Sequence, residues 1–200
     1  MDGPLSPLIF DGVAIYEKAI TKPLEKITVI EEIAENSNNP YRIWSRAAVV
    51  ANNGRSEIAD SRTNMLLHLG GGVAVPYDAD PLNRMNMEFH LIFSRCVSDY
   101  SQKFCFDINT ATSTNYTVLK YENNQHYVHH LDHGAKTPRV VSAVGYLNND
   151  YIGGELNFDK LDFTYKPSSG DVVVFLSDEP YSHASLPVKS GIKYSVVNWW

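Results

Sequence analysis

From Tyr116 onward the chain is a succession of short β-type runs broken by turn residues, and no other feature constrains its fold as strongly. The runs cover 116–121, 126–132, 140–147, 156–165, 171–175 and 194–199. Asn148–Asn149, Gly153–Gly154 and Pro167–Gly170 supply turn chemistry between them. Many short strands joined in this way predict a β-sandwich or barrel.

The first half reads differently. Pro23 suits a helix N-terminus, and Leu24, Ile27, Ile30 and Ile33 follow at helical spacing until Asn36–Pro40 ends the pattern. Met85, Phe89, Ile92, Phe93, Cys96, Val97 and Tyr100 form a longer stripe, which core packing explains. Residues 13–16 and 43–50 are further β-type runs. The expected fold class is α+β and mostly β, with N-terminal helices backing a β core. One domain over 1–200 is expected: 1–110 as helical support and lid segments, 111–200 as the core. The segments 60–64 and 68–80, the latter with Gly70, Gly71 and Gly72, are the candidate lids.

Composition sets outer limits. With 44% apolar and 20% charged residues in 200, the chain can bury a sizeable core. A net charge of −6 gives no broad attraction to nucleic acid or to an anionic membrane. No stretch is apolar enough to span a bilayer, and the opening residues lack a secretory pattern. Cys96 and Cys105 are too few for a disulfide scaffold. A cytoplasmic protein with reduced thiols is expected, from a bacterium or a virus-infected host cell.

The densest chemistry lies in His126-Tyr-Val-His-His130-Leu-Asp132-His133. On a helix, His126/His130 and His129/His133 would pair at i,i+4 as in zinc sites. On a strand, His126, His130 and Asp132 share one face. The β-type run just before the cluster favours the strand. His130 and Asp132 would then need one more histidine to make a 2-His-1-carboxylate triad with open positions. His183 is the best placed, and Lys193 follows it by ten residues. His-x-Asp alone is common by chance, so weight rests on several signals in order.

That order resembles a known family. Lys120-Tyr121-Glu122, Gln125, Tyr127-Val-His-His130-Leu-Asp132, Arg139 and Tyr146-Leu147-Asn148 come first. Gly153-Gly154-Glu155-Leu-Asn-Phe158, Lys166-Pro167, Gly170-Asp171 and Phe175 follow. His183, Pro187-Val188, Gly191, Lys193-Tyr194 and Asn198-Trp199 complete the series. Together they resemble the prolyl 4-hydroxylase branch of the 2-oxoglutarate- and Fe(II)-dependent dioxygenases, with a weaker echo at Arg62-Thr63.

The resemblance implies a double-stranded β-helix, or jelly roll. It implies that His130, Asp132 and His183 bind Fe(II). Lys193, Tyr146 and Tyr121 would hold the cosubstrate 2-oxoglutarate, and Arg139, Trp199 and Arg62 the substrate. Lysine rather than arginine at 193 favours the collagen-type branch over the oxygen-sensing one. O₂ is the second cosubstrate, and ascorbate is a candidate reductant. The implied reaction is hydroxylation of prolyl residues in a peptide or protein, giving 4-hydroxyproline, succinate and CO₂. The alternatives are a related oxygenase acting on a free amino acid or other small molecule, and a non-oxygenase metal-binding barrel or peptide-binding module. No nucleic-acid or membrane partner is expected, and oligomeric state is open.

Overall fold

The computed structural model describes residues 5–50, 56–70, 80–112, 115–136 and 138–200. In chain order the elements begin with β1 (Leu8–Phe10), β2 (Val13–Tyr16), α1 (Pro23–Asn36), β3 (Ser45–Arg46), β4 (Val49–Val50) and β5 (Ser56–Glu57). Next come β6 (Met65–His68), α2 (Pro81–Lys103), β7 (Thr117–Tyr121), β8 (Tyr127–His130), β9 (Val141–Tyr146) and β10 (Ile152–Gly153). The last are β11 (Leu156–Phe158), β12 (Phe163–Tyr165), β13 (Val172–Leu176), β14 (His183–Ser185), β15 (Val188–Ser190) and β16 (Lys193–Trp199).

An eight-stranded sheet, β1-β2-β13-β9-β16-β7-β6-β3, faces a four-stranded sheet, β12-β11-β14-β8. All pairings in both are antiparallel. Strand alternation sorts the large sheet into two apolar faces. Ala14, Val118, Val172, Val174 and Val196 meet the helices. Val13, Leu119, Val144, Val173 and Val197 turn inward to the space between the sheets. A sheet covered on both sides must be apolar on both, hence near-continuous runs such as Val172–Leu176.

Helix α2 starts at an Asp80 cap, whose side chain accepts from the Asn83 amide at 3.0 Å, with Pro81 in the first turn. Its predicted stripe is buried at Met85, Phe89, Phe93, Cys96, Val97 and Tyr100. Helix α1 follows the expected span, but its stripe is shallower. Ile30 is fully buried, Ile27 and Ile33 are partly so, and Leu24 is exposed.

The first half also supplies strands that the sequence reading did not expect. β1 edges the large sheet, and β6 pairs with β7 along four residues. The run 43–50 divides into two short strands, β3 and β4. The run 156–165 is a hairpin rather than one strand, turned at Asp162 in the left-handed region (φ 49°). The candidate lid 60–64 lies along β8: the Val128 amide donates to Ser61 and the Thr63 amide to His126. Residues 71–79 of the other candidate lid lie outside the described residues. Among the described residues no helix is long and apolar enough to cross a membrane. Both cysteines are free.

Candidate metal centre and its cavity

The β8–β14 pairing sets His130 directly opposite His183. Asp132 follows two residues on, where the chain has left β8. Ligand atoms of the three side chains all lie within 4.8 Å of one another. His130 Nε2 is 3.6 Å from Asp132 Oδ1, and His183 Nε2 is 3.6 Å from Oδ2. The other nitrogen of each ring is committed to a backbone carbonyl. His130 Nδ1 donates to Val128 (2.8 Å) and His183 Nδ1 to Tyr181 (3.1 Å). Each Nε2 is therefore left free on the side of the carboxylate, the arrangement a metal ligand requires.

Electrostatics agree with this donor set. Burial pushes the His183 pKa down to about 4, against the pull of Asp132, so its imidazole is neutral at pH 7. Burial alone would raise Asp132, but His183, His130 and the Ser142 hydroxyl hold its carboxyl well below the usual range. Ser142 Oγ donates to Asp132 Oδ2 at 2.7 Å and lies 2.8 Å from Ser177 Oγ. Two imidazoles and one ionised carboxylate on one side of a cavity fit a divalent first-row metal with open positions.

The cavity measures about 540 Å³, and every predicted site residue lines it. Lys193, 2% exposed, lies at its inner end. Its Nζ donates to the Gly154 carbonyl (2.7 Å) and to Ser185 Oγ (2.8 Å). The Tyr121 and Tyr146 rings flank the ammonium, with centroids 5.0 and 5.4 Å away. Burial first, then Lys166 nearby, lowers the Lys193 pKa to about 7, with Glu155 opposing. Burial keeps both tyrosine hydroxyls protonated, Tyr121 rising to about 12 and Tyr146 well above its ordinary value. Gly154 (φ 66°) approaches closely here: a Cβ would stand 3.1 Å from Lys193 Cδ.

Arg139, Trp199 and Arg62 stand at the mouth. The Arg139 guanidinium lies 3.9 Å from the Trp199 ring centroid. Arg62 stacks over Tyr127 at 4.6 Å, and Tyr127 stacks on His130 at 3.5 Å. Simple strand alternation breaks down here. Alternation put His126 on the face of His130, but Tyr127 takes that place. The register jumps from His183↔His130 to Ser185↔Tyr127, so β8 carries one extra residue and bulges. His126 instead holds Thr63, whose Oγ accepts from its amide at 2.9 Å. Sequence reasoning also missed the roles of Tyr127, Ser142 and Ser185. Ser142 keeps the parity of Tyr146, and Ser185 that of His183, which could have marked both.

The fold and the site together define a class: a jelly roll carrying a 2-His-1-carboxylate centre opposite a buried cation. Within it, residues 116–200 match the family model of the 2OG-Fe(II) oxygenase superfamily. A protein of Acanthamoeba polyphaga mimivirus, assigned by inference as a prolyl 4-hydroxylase, is 30% identical over 115 residues. That alignment covers 48% of this chain and spans 47% of the relative, about half its length.

Solved prolyl hydroxylases share the fold. One from Pseudomonas putida gives a TM-score of 0.65 at 21% identity, covering 94% of this chain and 92% of its own. A viral collagen prolyl hydroxylase from Paramecium bursaria Chlorella virus-1, in complex with 2-oxoglutarate, gives 0.58 at 20%, covering 94% and 95%. One from Trichoplax adhaerens, in complex with a hypoxia-inducible-factor peptide, gives 0.66 at 17%, covering 94% and 83%. The resemblance read from the sequence is thus met by a family model, a relative and the fold.

Proposed function

We propose that this chain is a 2-oxoglutarate- and Fe(II)-dependent dioxygenase that hydroxylates prolyl residues of a peptide or protein. The products are 4-hydroxyproline, succinate and CO₂. One observation carries the reading: a single cavity holds the His130–Asp132–His183 donors and, at its inner end, a buried lysine hydrogen-bonded only to neutral groups.

Bound Fe(II), with 2-oxoglutarate and O₂, supplies the oxidising power for an unactivated C–H bond. The chain's own residues hold and orient. His130, Asp132 and His183 would hold the ion. Lys193 spends two of its three N–H donors on Gly154 and Ser185, leaving one for the distal carboxylate of 2-oxoglutarate. Tyr146 and Tyr121, kept protonated by burial, are hydrogen-bond donors beside it. Leu119, Val144, Leu156 and Val197 form apolar walls that limit water around the reacting centre. Arg139, Trp199 and Arg62 flank the path of an extended peptide. The choice of proline rests on similarity to the prolyl hydroxylases.

The test is anaerobic. Fe(II) and 2-oxoglutarate together should give a weak visible charge-transfer band that needs both components and is lost in His183→Ala. Proline-rich peptides should then gain one oxygen in air. An intact protein without the band overturns the oxygenase reading.

A further inference from the structure

The charged groups around the cavity are unbalanced. Arg62, Lys136, Arg139 and Lys193 line it, and Asp132 is the only Asp or Glu among the described lining residues. The chain as a whole carries −6, so this surplus is local. Iron and 2-oxoglutarate carry equal and opposite formal charge, so loading the site leaves the surplus in place. Lys193 is engaged at the inner end, and the other three cations stand on the substrate's side.

Of these three, Arg62 and Lys136 make no ion pair with a described residue, and Arg139 shares one with Asp132. Arg62 donates to Asn64 Oδ1 (3.1 Å) and the Ala48 carbonyl (3.4 Å), both uncharged. Arg139 approaches Asp132 Oδ1 only at 3.7 Å, on a carboxylate already shared with two histidines and Ser142. Lys136 is exposed and makes no ion pair with a described residue. Arg62 and Arg139 are half-buried and held by Tyr127 and Trp199, so their guanidinium groups are pre-placed. Arg62, partly desolvated and with only uncharged acceptors, is where an incoming anion gains most.

We infer that the site selects peptides carrying Asp or Glu beside the target proline, read by Arg62 and Lys136 at the cavity mouth. The inference rests on the peptide-hydroxylase reading above. Two acceptors fit two stations. Arg62, fixed on the Tyr127 ring, can take a side-chain carboxylate in a fork geometry. Lys136 on the loop after Asp132 adds a mobile point charge. Arg139, already turned to Asp132, orders the backbone between them. The surplus charge also draws an acidic segment toward a chain that otherwise repels it.

The test is binding, so that it stands apart from catalysis. Three peptides share one proline and differ only in flanking Glu, Gln or Lys. Affinity is measured by fluorescence anisotropy on the protein loaded with Mn(II) and 2-oxoglutarate. The Glu peptide should bind about tenfold tighter than the Gln peptide at low salt, and the Lys peptide weakest. Salt should narrow the gap. Arg62→Gln should remove most of it. Lys136→Glu, at an exposed position, should shift preference toward the Lys peptide. Lys189→Gln, a remote surface charge, should change nothing.

Equal affinities, or a preference unmoved by Lys136→Glu, overturn the inference. Mass analysis of the same peptides in air separates it from the broader reading. A Glu preference without added oxygen would sink the hydroxylase and keep the charge selectivity. Added oxygen without charge preference would do the reverse.

Discussion

The metal end of the cavity is carried by short, irregular strands, and the Lys193 end by long, regular ones. β8 and β14 have four and three residues, and their register shifts between His183 and Ser185. β16, β9 and β7 have seven, six and five residues and pair without a break. The regular end obeys alternation: Lys193, Ser195, Val197 and Trp199 all line the cavity. The irregular end does not, because one extra residue in β8 exchanges Tyr127 for His126.

The ends also differ in charge balance. Asp132 is compensated by its own neighbours, whereas Lys193 has only neutral hydrogen-bond partners. One end pairs its charge within itself, and the other buries a cation among neutral groups. Breaking the self-paired end should cost the ion outright. His183→Ala should weaken Mn(II) binding, read by calorimetry, by more than the 10–100-fold typical of removing a supporting partner. A smaller loss would mean that His183 is not a ligand.

At the other end, Lys193→Met should raise the KM for 2-oxoglutarate by about 100-fold, the scale of breaking a buried charge pair. The same variant should leave Mn(II) affinity unchanged and raise the melting temperature of the 2-oxoglutarate-free protein at pH 6. A buried ammonium with no anion then no longer opposes folding. A lower melting temperature would mean that Lys193 contributes more by packing than it costs by charge.

A gentler change separates ligand from support at the metal end. Ser142→Ala removes the hydroxyl that fixes Asp132 Oδ2 and should weaken Mn(II) binding by about tenfold, with 2-oxoglutarate KM little altered. An unchanged metal affinity would make the Ser142–Ser177 pair merely structural.

The smallest effect is a pH response confined to the lysine end. The Lys193 pKa lies near 7 in the folded chain, against 10.5 in the unfolded one. Between these values the unfolded state holds the extra proton, so this group makes stability rise with pH; its cost is full below pH 7. Anion binding needs the ammonium, so 2-oxoglutarate affinity should fall by roughly tenfold from pH 6 to pH 8. Calorimetry in buffers of different ionisation enthalpy should record proton uptake on binding near pH 8. No uptake would place the Lys193 pKa higher.

Much of this was legible in the chain itself. The runs from Tyr116 mark most of the core strands, and the order of His130, Asp132, His183 and Lys193 carries the site. The parity of β16 was readable because its seven residues alternate without interruption. Other parts were not legible. β1 and β6 are three and four residues long, too short to show a period. Residues 61–63 lie along β8 through two backbone hydrogen bonds and one bridge, which no side-chain pattern announces. The apparent run 156–165 folds back on itself because Asp162 takes a left-handed turn.

Local covalent order and side-chain period belong to the sequence. They determined a helix-backed β core, the donor types and the cation ten residues beyond the last histidine. Register belongs to the tertiary structure, because hydrogen bonds between distant strands set it and one inserted residue can reverse a face. Only the packed sheets could bring His130 opposite His183, substitute Tyr127 for His126 and bury Lys193 among neutral partners. Those contacts join residues far apart in the chain, and their energies exist only once the two sheets close on each other.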